Sequence, residues 1–211
     1  MAKRLMVLAS VALVLLLSAT MLSAQGAQEY VRSVEQQGEV AEAVAAPATI
    51  DEGILLMREE EKLARDVYLA LYDRWGIRTF ANIARSEQQH MDAVAALMKS
   101  KGIADPVAAS RAGVFTNATI AALYDELVAL GMQSPVDALT VGAIIEDLDI
   151  ADLERLLSQT DDPDTTWVYT ALLRGSENHM RSFAGLLLRN GTPYEARPIT
   201  ADRLEEILGA R

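Results

Sequence analysis

Cysteine is absent from the 211 residues, which excludes disulfides, thiolate metal sites, cysteine nucleophiles and lipoprotein acylation together. Any metal held by this chain must be bound through oxygen and nitrogen. Histidine occurs only twice and aromatics make up 5%. Strand-forming residues come only in short runs, while Ala, Leu, Glu and Arg dominate, so summed propensity favours helix nearly throughout. Basic residues are scarce too: 19 Lys and Arg face 30 Asp and Glu, a formal charge of −11. So acidic a surface argues against nucleic acid or an anionic membrane as partner. With 51% of residues hydrophobic, the length favours one core with appendages over two domains.

Residues 1–24 read as a signal peptide. Lys3 and Arg4 form its charged start, Leu5 to Leu17 its apolar run, and Ser23, Ala24 and Gly26 the small residues near a cleavage point. The expectation is an exported protein, periplasmic or secreted. The alternative is an uncleaved anchor, since the apolar stretch approaches the length of a membrane span. Removing it leaves 17 basic against 30 acidic side chains, or −13. Residues 25–49, rich in Gln, Glu, Ala and Val without a firm period, read as a flexible linker closed by Pro47.

Apolar periodicity then predicts four long helices, roughly Asp51 to Trp75, Phe80 to Lys101, Val136 to Ser158 and Thr165 to Asn190. Gly76, Gly102 and Gly191 stand where three of them stop. The fold class expected is all-α, a four-helix bundle over residues 50–194. A long connection between the second and third helices carries a short helix from about Asn117 to Leu130. Its length lets the third helix start from the far end of the bundle, as the crossover of ferritin-like bundles does. Residues 195–211 form a tail with a last short helix.

Steps alternating three and four residues keep side chains on one helix face. On the first helix that walk gives Ile54, Met57, Glu61, Ala64, Tyr68, Leu71 and Trp75. On the second it gives Phe80, Ile83, Glu87, His90, Val94 and Leu97. The third yields Leu139, Gly142, Glu146, Asp149, Leu153 and Leu156, and the fourth Tyr169, Leu172, Ser176, His179, Phe183 and Leu186. Each seam is apolar except for one short polar interruption, and none carries Lys or Arg. Burying an unpaired carboxylate costs several kcal/mol, so four of them would exceed the roughly 5–15 kcal/mol stability of a domain without a cationic partner. Two metal ions are the simplest neutraliser. Glu61, Glu87, Glu146 and Asp149 would supply oxygen ligands, and both histidines of the chain, His90 and His179, nitrogen ligands. Iron leads, with manganese or zinc as alternatives. The rival reading leaves each polar residue exposed or locally paired.

Four further assignments stay open or bland. Glu60 competes with Glu61, because Leu56, Glu60, Leu63 and Val67 make a second stripe; Glu61 is preferred for its unbroken seam and its spacing to Tyr68. Glu59, Lys62 and Arg65 read as a solvated face with helix-stabilising pairs. Tyr68 and Tyr169 could lie by the metals or be ordinary core tyrosines. Met57, Met91, Met98 and Met180 read as packing, not as copper ligands.

Glu87-Gln-Gln-His90 resembles the Glu-x-x-His of ferritin-like di-iron proteins. The segment Glu61 to Tyr68 is similar to the first helix of rubrerythrins and bacterioferritins. More closely, MREEEKLARDVYLALY, FANIARSEQQHMDAV, VGAIIEDLDIADL and GSENHMRSF resemble the ferritin-like family DUF2202, over about Asp51 to Tyr194. That resemblance implies a ferritin-like fold without implying an activity. The pattern departs from the usual di-iron plan, which takes Glu-x-x-His from two helices and one Glu from each of the others. Ser176 stands where the second such Glu would be, while the third helix supplies Glu146-x-x-Asp149, similar to the paired carboxylates of rubrerythrins. Glu177 is a reserve ligand only if its helix rotates.

Function is expected in one of three classes. The first is a di-iron or mixed-metal oxidoreductase acting on oxygen, peroxide or ferrous ion. It would depend on an outside reductant, because the chain has no cysteine-ligated iron domain like that of rubrerythrins. The second is a non-enzymatic protein that sequesters or delivers metal. The third is a metal-free helical interaction module. Assembly into a homo-oligomer is compatible with all three.

Overall fold

The computed structural model describes Pro47 and residues 49–209. The signal peptide and nearly all of the linker expected over 1–24 and 25–49 lie outside the described residues. Six helices follow one another: α1 Ile50–Trp75, α2 Arg78–Lys101, α3 Ala118–Gly131, α4 Pro135–Gln159, α5 Pro163–Arg189 and α6 Ala201–Gly209. The described residues are all-helical, without strands, as the composition predicts. No helix among them is long and apolar enough to cross a membrane.

The helix starts are written locally. Thr49 and Glu52 form a reciprocal capping box at α1, satisfying two backbone N–H groups that no helical carbonyl can reach. Ser134 and Asp162 cap α4 and α5, each followed by a proline in the first turn, where its missing N–H costs nothing. Asn117 caps α3 by accepting from Thr119 and Ile120. Gly76 ends α1 at φ 66°, a left-handed conformation that disfavours any side chain.

Contacts fix the relative directions. Arg58 reaches the Met91 carbonyl while Tyr68 meets Phe80, so α1 and α2 form an antiparallel hairpin. Asp149 meets Ser176 and Gly142 lies under Phe183, so α4 and α5 form another. Leu156 approaches Gly53 and Tyr68 reaches Gly142, which sets α4 antiparallel to α1. Helices α2 and α4 therefore point the same way. The segment between them returns along the outside of α1, from Asp105 at Arg58 to the Gly131 carbonyl at the Trp75 indole N–H.

That segment corrects one sequence expectation. The face carrying Glu59 and Lys62 is not solvated: Glu59 is 4% exposed and Lys62 0%. Glu59 accepts from the Thr116 and Asn117 backbones, and Lys62 donates to Asp66 and the Arg111 carbonyl beneath the Phe115 ring. Asp66 takes the Gly113 N–H as well. Arg65 fits its expected pairing better, bonded to Asp66 and Gln88.

The seams pack inward. Ile54, Met57, Val94, Leu97, Leu153, Leu156 and Leu172 fill one end, and Tyr68, Phe80 and Phe183 make a tilted aromatic cluster with centroids 5.3–6.0 Å apart toward the other. Met57, Met91, Met98 and Met180 are all core residues. At the end of α5 the seam slips by one position, burying Leu187 rather than Leu186, because 3.6 residues per turn drift against a 3.5 repeat.

Candidate metal centre

Between those two apolar layers, Glu61, Glu87, Glu146, Asp149, Ser176 and His179 are all buried, and the His90 side chain is 13% exposed. Glu87 on α2 is the hub. One of its oxygens lies 2.8 Å from His90 Nδ1 and the other 2.8 Å from His179 Nδ1. His90 Nδ1 is also 3.1 Å from Glu61 Oε2, and His179 Nδ1 3.5 Å from Glu146 Oε2. Two sets of converging ligand atoms result, Glu61–Glu87–His90 and Glu87–Glu146–His179, with the imidazole rings stacked at 5.5 Å.

Asp149, expected among the ligands, stands beside these two groups without joining either. Its Oδ2 accepts from the Ser176 hydroxyl and its Oδ1 is buried without a partner. Glu61 rather than Glu60 joins the cluster; Glu60 is half-buried and turns toward Asp152. Glu177 faces away, tied to Arg203 and Arg181. Tyr68 does sit at the centre, donating at 2.5 Å to Glu146 Oε1.

Buried oxygens of Glu61 and Glu87 and Nδ1 of His179 have no hydrogen-bond partner. Glu87 and His179 come within 2.8 Å without the alignment a hydrogen bond needs. Such orphaned atoms in a native core call for an explanation. Among the described residues no Lys or Arg pairs with Glu61, Glu87, Glu146 or Asp149. Carboxylate oxygens and imidazole nitrogens are a donor set that suits iron, manganese or zinc. The residues present therefore fit a pair of metal ions.

The titration pattern follows from this crowding. Burial disfavours charge on both imidazoles, but contact with Glu61 and Glu87 outweighs it and pushes His90 up to about 11. Glu146 and Glu87 likewise lift His179 to about 10. Burial works against Glu87 also, yet two imidazoles hold it down at about 2. Glu61, desolvated and facing Asp149, is raised well above the usual carboxylate range. Burial, and Glu146 nearby, raise Asp149 to about 7. Without a cation, the cluster relieves part of its repulsion by holding protons.

One positioning residue escaped the sequence reading. A Cβ on Gly175 would come within 2.4 Å of His90 Nε2, so the imidazole occupies space that only glycine leaves open. The signal available was a glycine inside a helix immediately before the seam residue Ser176, a placement that usually has a packing reason. Ser176, read as a missing ligand, is the hydroxyl that orients Asp149.

The profile of an uncharacterized protein domain, DUF2202, matches residues 50–211, which is most of the chain. The chain belongs to the DUF2202 family. Among relatives, the uncharacterized protein MJ0754 of Methanocaldococcus jannaschii is 52% identical over 159 residues, covering 75% of this chain and 86% of its own length. The crystal structure of hypothetical protein MJ0754 superposes with a TM-score of 0.75 at 51% identity, over 76% of this chain and 92% of that one. DUF2202 membership thus spans the residues that build the centre.

Proposed function

We propose that this DUF2202 chain is an exported, ferritin-like four-helix bundle, with residues 102–134 as its crossover. Glu61, Glu87, His90, Glu146 and His179 hold two metal ions, iron foremost. The sharing of Glu87 carries this reading: one carboxylate faces a different imidazole with each oxygen, inside a core where oxygens of Glu61 and Glu87 and Nδ1 of His179 lack hydrogen-bond partners. A purely structural cluster would be expected to close its own hydrogen bonds, as buried polar groups generally do.

When bound, such a pair of ions supplies the electron transfer needed to reduce oxygen or peroxide. The chain's own contribution is positional and protonic. Tyr68 holds Glu146 by its hydroxyl and lies against Phe80 and Phe183, a dry floor that excludes water from that side. Asp149, poised at about 7 and fixed by Ser176, can accept or release a proton near neutral pH, as a general acid–base group must. Reducing peroxide to water consumes equal numbers of electrons and protons, and the electrons must come from an outside donor or from ferrous ion.

The lack of cysteine, and so of any thiolate-bound iron to pass electrons, favours a second reading, that of a protein which sequesters or delivers metal without turnover. One experiment separates them. Protein purified without chelator is analysed for elemental content, then loaded with ferrous iron while oxygen and peroxide are followed. Two ions per chain with consumption supports the oxidoreductase, and two ions without consumption the carrier. Absence of metal would leave the helical interaction module.

A further inference from the structure

A second group of acidic side chains lies one turn from the centre, between α1 and α4. Glu60 and Asp152 come within hydrogen-bond reach of each other, and Asp149 and Glu61 are the next charges that Glu60 meets. Asp152 is 28% exposed, with Arg155 engaging it through Oδ1. Moving inward, Oε2 of Glu60, Oδ1 of Asp149 and Oε1 of Glu61 are each buried and unpartnered. This is a file of free acceptor oxygens running from the surface to the first ligand group.

An independent feature points the same way. The Tyr169 hydroxyl is buried without a partner, on a residue 1% exposed, and Glu60, more than Arg155, is the charge that acts on it. Tyrosine hydroxyls normally find a partner when buried. Left unpartnered near a carboxylate, this one keeps its hydrogen-bonding capacity for a guest.

We propose that Glu60, Asp152 and Asp149 form the access route by which divalent cations pass from the surface between α1 and α4 to the Glu61–Glu87–Glu146 centre. This rests on the metal-binding reading above. Three carboxylates against the one guanidinium of Arg155 leave the route acidic, and clefts dominated by charge of one sign concentrate counter-ions and accelerate their capture, a gain that falls with ionic strength. The route oxygens hold the ion only in passing, and Tyr169 offers its water shell a hydroxyl on the way.

Cobalt(II) serves as the probe, since its visible absorption reports binding directly. Metal-free full chain is mixed rapidly with Co2+, and wild type is compared with Glu60→Gln, Asp152→Asn, the double variant and Asp73→Asn, an exposed carboxylate at the far end of α1. The double variant should load about tenfold or more slowly, as loss of charge focusing predicts. It should still saturate at two ions, release them to chelator more slowly in the same proportion, and lose most of the salt dependence of its loading rate. The single variants should fall between, and Asp73→Asn should match wild type. Wild type that binds two ions, beside a double variant that loads equally fast, would overturn the route while leaving the centre intact. Loss of one ion at saturation with an unchanged loading rate would overturn it too, by making Glu60 a ligand. Slowing by Asp73→Asn as large as that of the double variant would reduce the effect to net charge and also overturn it. Wild type that takes up no Co2+ would remove the centre itself, and the route with it.

Discussion

The two faces of α1 bury charge in opposite ways. On the outer face Arg58, Glu59, Lys62 and Asp66 are all nearly inaccessible, and each is bonded to the connecting segment or to its neighbour. On the inner face Glu61 is as deeply buried, yet it lies in one cluster with three further buried carboxylates and keeps an unpartnered oxygen. Acid alone does not distinguish them. What differs is the kind of counter-charge: lysine and arginine on the outer face, and on the inner face only two imidazoles that must hold a proton to supply it.

The sharpest break of that comparison comes at Glu87. Glu87→Gln removes the shared ligand, so metal content should fall from two ions per chain to one or none, read by elemental analysis. Next in size, Lys62→Met removes one of the two cations on Asp66, which keeps Arg65 and the Gly113 N–H, so the loss should reach at most the low end of the roughly 3–5 kcal/mol that breaking a buried pair costs. Denaturant unfolding should show that loss while the protein still binds two ions.

Glu61→Gln should do the reverse of Lys62→Met. Because burial and Asp149 raise the Glu61 carboxyl, neutralising it relieves repulsion, and the metal-free protein should melt at a higher temperature while its metal affinity falls. Gly175→Ala should act more gently, pushing His90 aside through the new Cβ and weakening metal binding about 10–100-fold, as loss of a supporting contact typically does. Competition titration against a chelator would measure it.

The pH dependence is the smallest of these effects. His90, near 11, and His179, near 10, lie above the ordinary 6.5, and Asp149, near 7, above 3.8. Groups whose pKa is raised by folding lend stability that is complete below the unfolded value and lost as pH climbs through the folded one. Glu87, lowered from 4.5 to about 2, works oppositely, stabilising above 4.5 and failing only as pH falls toward 2. Metal-free protein should therefore lose thermal stability between about pH 5 and about pH 9. Saturating metal should stabilise more at the higher pH, because binding displaces those protons. Melting curves at both pH values, with and without metal, test the crossing.

Much of this was legible in the sequence because it is periodic. Capping residues, glycine stops and the four seams place each helix within a residue or two, and the polar interruptions fall together because they sit at matching heights. The outer face of α1 was not legible. Glu59, Lys62 and Arg65 have the spacing of a solvated stripe, and their burial depends on contacts with Arg111, Thr116 and Asn117, which no local pattern encodes. Asp149 shows a finer limit: its place on the seam was right, but one turn along α4 separates it from both ligand groups. The space left by Gly175 for His90 lies in three dimensions between two helices, where periodicity has nothing to say.

Anomalous diffraction from crystals of the full chain soaked in ferrous or manganous salt tests the central claim most directly. The account predicts two peaks, one bounded by Glu61, Glu87 and His90 and the other by Glu87, Glu146 and His179. An interior without peaks, with those side chains closed on one another by hydrogen bonds, would contradict it.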